Sequence, residues 1–243
     1  MLLWKSWFDL RLRFYYSLTV LLFLLGLILS IYPMLTSIKD SLAQERLRVL
    51  LQDYQSYLDA LWFSGAAYLA LLTSAIFMGL GGILAEKGSG PLSITLSLPA
   101  KRWQWTVTNA GMTALLIAAL ALAATVGLVL GSLFIGKSYP LDLALLGLLG
   151  LWLACFPWIG LSLLLNIMFH SDTTSGLILV PAGVIGPQLL LITSPSLYRW
   201  CPSLLARPGI WRQSLPWESL LVSIAVGLAG AALAALRFTR EEC

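Results

Sequence analysis

The chain has 243 residues, of which 59% are hydrophobic and only 11% are charged, and its mean hydropathy is +0.87. A soluble domain carries about 25% charged residues, so this sequence lacks the charge to cover a water-facing surface. The net charge of +4 does not argue for nucleic acid, because the basic residues flank long apolar runs where they face lipid headgroups.

Six long intervals contain no Asp, Glu, Lys or Arg: 14–38, 60–85, 103–136, 143–171, 173–198 and 219–236. A helix needs roughly 20 apolar residues to cross the hydrocarbon core. Each interval holds one crossing, and none holds two with a turn. The pattern predicts an all-α polytopic protein, with one transmembrane domain over 1–243 and six transmembrane helices.

Residues 3–15 read as an amphipathic helix. At about 100° per residue, Lys5, Ser6, Asp9 and Arg13 share one face and Trp4, Trp7, Phe8, Phe14 and Tyr15 the other, with Arg11 left to snorkel from the apolar side. Such a helix lies in the membrane interface, or else forms a basic, aromatic flank to the first crossing. That crossing is placed at 17–37, with Pro33 near its outer end. The run is too long for a signal peptide and lacks a small-residue cleavage site, so a retained helix is expected.

The mixed-charge loop 39–59 is expected to fold as a helix outside, on the membrane or on its neighbours. The second crossing, 61–85, ends in Gly79, Gly81 and Gly82. These permit either close helix approach or a flexible end. The third and fourth crossings, 104–135 and 141–169, exceed the bilayer thickness, so tilt or protrusion must absorb the excess. Between them Gly136 to Pro140 form a tight turn. The fifth, 174–193, carries Pro181 and Pro187, and proline removes a backbone donor and clashes with the preceding turn. A kink or break is expected there. Residues 194–216, with Pro195, Pro202, Pro208, Trp200, Trp211 and three arginines, read as short interfacial or re-entrant pieces. The sixth crossing is 217–237.

Six crossings put both termini on one side. With the termini inside, eight basic residues lie inside and seven outside. The count barely decides, but the segment before the first crossing is basic and usually dominates. Cytoplasmic termini in a cell inner or plasma membrane are the expectation.

An intramembrane acid or base is the usual mark of ion coupling, and none falls near the middle of a run. The polar residues there are Thr73, Ser74, Thr125, Asn166 and Gln188. The single histidine, His170, lies between the fourth and fifth crossings, and no HExxH or GxxxxGK[ST] occurs. Cys155, Cys201 and Cys243 show no metal-ligand spacing. No catalytic, cofactor-binding or metal-binding residue is assigned, and uphill transport would need energy from another polypeptide.

The loop 86–103 is too long for a plain turn. Leu92, Leu96 and Pro99 can share one side of a short helix, with Ser93, Ser97 and Ala100 on the other. Glu86 and Gly90 form an ExxxG pair, followed by Leu96, Leu98, Pro99, Arg102 and Trp103. This stretch resembles the membrane subunits of type-2 ATP-binding-cassette (ABC) exporters, where a glutamate, a glycine and a leucine–proline–arginine segment make a cytoplasmic coupling helix. Pro91 departs from the family's usual threonine. The layout of interfacial entry helix, six crossings and broken segment before the last helix is also similar.

The resemblance implies a permease subunit that pairs with itself or a relative and binds two cytoplasmic ABC ATPase subunits. ATP and magnesium would sit on those partners. The coupling interface would comprise Glu86, Gly90, Pro91, Leu92, Leu96, Leu98, Pro99 and Arg102. Two other classes stay open: an integral membrane enzyme built around His170 or the aromatic–arginine segment, and a non-transporting scaffold or sensor subunit.

Overall fold

The structure, a computed structural model, describes residues 2–38, 53–80 and 102–240. These residues form helices α1 (Leu2–Ile38), α2 (Tyr54–Leu80), α3 (Arg102–Phe134), α4 (Leu141–Phe169), α5 (Asp172–Thr193), α6 (Pro195–Tyr198), α7 (Pro208–Gln213) and α8 (Trp217–Arg240), with a 3-10 turn at Pro202–Ala206. Six of them, α1 to α5 and α8, are long and apolar enough to cross a membrane. Among the described residues there is no strand.

Contacts at the helix ends fix an alternating arrangement. At one end, called here the first face, Arg13 of α1 meets Phe77 of α2 and Asp172 of α5, and Asn166 of α4 meets Leu80 of α2. At the second face Tyr57 meets Ile28, Tyr54 meets Ser132, and Tyr139 meets Asp59. The last turn of α8 lies beside the last turn of α4, and so on the first face with the start of α1.

The centre belongs to α2 and α4. On α2, Trp62, Phe63, Leu71, Leu72, Ile76 and Met78 are fully buried. On α5 only Ser175, Leu179, Gly183 and Pro187 are buried, a single stripe four residues apart. Its remaining large side chains, including Leu177, Ile185 and Ile192, point outward, as suits a helix facing lipid. Small residues bring backbones together. A Cβ on Gly230 of α8 would lie 2.6 Å from the Gly160 carbonyl carbon of α4, and one on Gly227 would lie 2.8 Å from the Phe156 oxygen. Gly79 packs against the side chain of Ser162 on α4, so this glycine serves close helix approach; Gly81 and Gly82 lie outside the described residues.

The structure departs from the sequence reading in four places. First, α1 is unbroken over 37 residues, about 55 Å at 1.5 Å per residue, so the interfacial helix and the first crossing are one rod. The segment from Phe14 to Ser17 carries nothing that would stop a helix.

Second, part of the polar side of residues 3–15 turns inward, while Asp9 stays exposed and Trp7 and Phe14 from the aromatic side pack on the core. Ser6 and Leu10 are buried and Arg13 is mostly covered, whereas Trp4, Phe8 and Tyr15 are exposed. Aromatic rings are favourable against lipid, and an arginine is more easily kept where protein groups can pair with it. Arg11 does stay on the outside, its guanidinium 4.2 Å from the Phe8 ring.

Third, α2 begins at Tyr54, inside the segment assigned to the outer loop. Asp53 caps it, its carboxylate accepting from the Gln55 and Ser56 amides at 3.3 Å, which satisfies donors that a helix start leaves orphaned. The helix widens to a π-helix over Asp59–Ala67. The hydroxyl of Ser64 donates to the Asp59 and Ala60 carbonyls at 2.7 and 2.9 Å.

Fourth, of the kink or break expected at Pro181 and Pro187 the break does not occur, and α5 runs as one helix through both. Each proline removes one hydrogen bond, but in lipid no water competes for the remaining backbone groups. Residues 194–216, by contrast, do form three short pieces. The 3-10 turn seats the Leu205 carbonyl against Gly150 of α4, where a Cβ would collide with it, and Trp211 donates its indole N–H to the same carbonyl at 2.9 Å.

Candidate functional site

Glu86, Gly90, Pro91, Leu92, Leu96, Leu98 and Pro99 lie outside the described residues, as does the coupling loop up to Lys101. Arg102 is the first residue of α3, and Trp103 beside it is half exposed. The frame that holds the loop is therefore the describable part of this candidate site.

That frame is built around α2 up to Leu80, where two other helices supply donors to its carbonyls. The Arg13 guanidinium donates to the Phe77 carbonyl and the Asn166 amide donates to the Leu80 carbonyl. Arg13 also lies 4.6 Å from the Phe77 ring centre and 3.8 Å from the Asp172 carboxylate. One side chain thus joins α1, α2 and the first turn of α5, and an acid at a helix start is favoured by the helix dipole. Lys5 stands 4.7 Å over the Trp105 ring, tying α1 to the start of α3. Between α4 and α5 the chain reverses in two residues: His170 ends α4 in a left-handed conformation at φ 52°, and the Ser171 hydroxyl accepts from the Thr174 amide.

The second face carries a separate polar group. Tyr139 donates to the Asp59 carboxylate at 2.8 Å, and burial together with that carboxylate raises the phenol above its usual range, so it stays a donor. Arg212 of α7 pairs with Asp142. A cleft of about 360 Å³ beside them is lined by Ser56, Asp59, Ala60, Ser64, Arg207, Gly209 and Ile210. The interior between the faces holds hydroxyls that mostly bond within their own helix, such as Thr125 to the Ala121 carbonyl at 2.9 Å and Ser74 to Ala70 at 2.6 Å. Among the described residues no three His, Cys, Asp or Glu side chains converge as metal ligands. Cys155 and Cys201 are buried and free.

The sequence reading missed Arg13 as an inward group. Its signal was available: Ser6, Leu10 and Arg13 recur at helical spacing on one side. Asp59 falls in the segment 39–59 read as an outside helix, whereas it lies within α2, six residues after the cap at Asp53. Asn166 reads as an intramembrane polar residue, and its bond to the Leu80 carbonyl has no signal in the sequence.

Six apolar helices packed in this way define a multi-pass, all-α membrane protein. No protein-family model and no curated protein matches the chain.

Proposed function

We propose that this chain is the permease subunit of an ABC transporter, acting as an exporter by alternating access. It pairs with a second permease subunit and is driven by separate ATPase subunits that hold ATP and magnesium. The observation that carries the reading is the segment 86–103, with Glu86 and Gly90 followed by Leu96, Leu98, Pro99 and Arg102. Supporting it, the six apolar runs lack a central charge, so the chain has no acid or base of the usual kind for coupling to an ion gradient. A coupling helix acts as a lever only if its root is stiff. The root in question is α2, whose Phe77 and Leu80 carbonyls accept from Arg13 and Asn166.

Co-purification with an ABC ATPase co-expressed from the same genome tests the proposal. The wild-type chain is expected to retain the ATPase, and Glu86→Lys or Leu92→Asp to release it while the chain itself stays folded. An ATPase retained equally by both variants would sink the reading. So would a cysteine at Ser93 that reacts with an impermeant reagent only from outside the cell.

A further inference from the structure

We propose that the groove between the first-face ends of α4 and α8 binds an anionic phospholipid, with Arg237 and Arg240 holding its phosphate. The two helices touch through backbone at Gly160, Gly227 and Gly230. Toward the first face the residues on the facing sides become large: Leu164 and Met168 on α4, Leu233 and Leu236 on α8. A groove of about 700 Å³ opens between them, lined by these four side chains and by Arg237 and Arg240.

The spacing makes the groove amphipathic along its length. Leu233, Leu236, Arg237 and Arg240 form one stripe on α8, and Leu164 and Met168 lie one turn apart on α4. The stripe runs from leucines, which suit an acyl chain, to two guanidiniums in the last turn of α8, where the membrane boundary falls. A guanidinium fork matches a phosphate geometrically, and basic pockets between helices are a recurrent form of anionic headgroup site. A basic residue at a helix end also complements the helix dipole, but that effect does not depend on direction around the last turn. It does not account for two arginines lining the same groove. Among the described residues no Asp or Glu lines the groove, and on this face Asp172 is already paired with Arg13.

The test uses the full chain in nanodiscs of phosphatidylcholine alone or mixed with phosphatidylglycerol, reading thermal unfolding and the lipid retained after mild delipidation. Phosphatidylglycerol is expected to raise the unfolding midpoint of the wild type and to be retained selectively. In R237Q/R240Q the midpoint difference is expected to vanish and selective retention to fall on the order of tenfold. Arg11→Gln, which removes an exposed charge on the same face outside the groove, is expected to keep both. Should the double variant fail to fold, Leu236→Trp fills the groove with both charges in place and is expected to lower retention as well.

Two results overturn the proposal. One is selectivity unchanged in R237Q/R240Q or in Leu236→Trp. The other is an equal loss of stability in phosphatidylcholine alone, which would show the arginines holding protein, such as the Glu241–Glu242 segment, rather than lipid.

Discussion

The contact between α4 and α8 offers the sharpest test of the packing. Gly227→Ala and Gly230→Ala add one methyl group each, 2.8 Å from the Phe156 oxygen and 2.6 Å from the Gly160 carbon. Both distances fall more than half an ångström inside the 3.4 Å at which ordinary contact begins. The obstacles are backbone atoms of a buried helix, so no side chain can rotate away and the helices must separate. Overpacking of this kind costs about 1–3 kcal/mol, and a radial gap of about 0.5–1 Å along the remaining contact forfeits a quarter to a half of each dispersion well.

The same substitution elsewhere should act in the opposite direction. Gly111 of α3 and Gly186 of α5 have nothing within 4 Å of an added Cβ, and alanine is a better helix former than glycine by up to about 1 kcal/mol. Reversible unfolding in mixed detergent micelles would measure all four variants. Gly227→Ala and Gly230→Ala should lose stability, while Gly111→Ala and Gly186→Ala should hold or gain it. If the four variants behave alike, α4 and α8 do not meet at backbone distance.

Three further outcomes are expected. Arg13→Leu removes the donor to Phe77 and the partner of Asp172, at a cost of about 1–3 kcal/mol, and should loosen α1; a disulfide engineered between α1 and α5 near the first face would then form less efficiently. Tyr139→Phe strips Asp59 of its phenol donor and should cost about 1–3 kcal/mol in the same unfolding assay, and combining it with Asp59→Asn should cost less than the two single changes added, because the pair acts as a unit. Gly150→Leu should push the Leu205 carbonyl off α4, so that Cys201, buried in the native chain, reacts with maleimide in a Cys243→Ser background; continued protection would mean the 3-10 turn is not seated there.

The boundaries of α3, α4 and α8 were legible because charged residues stand at or near both ends of each run: Arg102 and Lys137, Asp142 and Asp172, Glu218 and Arg237. In a membrane the cost of immersing charge makes such residues good markers of where helices leave the bilayer. What the sequence obscured were features set by partners instead of by composition. Arg13 reads as a surface charge until Phe77 and Asp172 are known to face it. Pro181 and Pro187 read as a kink or a break, and the continuous helix removes the break alone. The contact at Leu80 was invisible for the same reason as Arg13's, since Asn166 meets that carbonyl only once α4 is packed against α2.

The widened turn at Asp59–Ala67 explains how α2 can be docked at both ends. Near the second face Tyr54 reaches Ser132 at 2.7 Å and Tyr57 reaches the Ile28 carbonyl at 2.8 Å; at the far end Phe77 and Leu80 are clasped by α1 and α4. The π segment lies between these two sets of attachments, and tightening it to ordinary helical spacing would turn one set relative to the other.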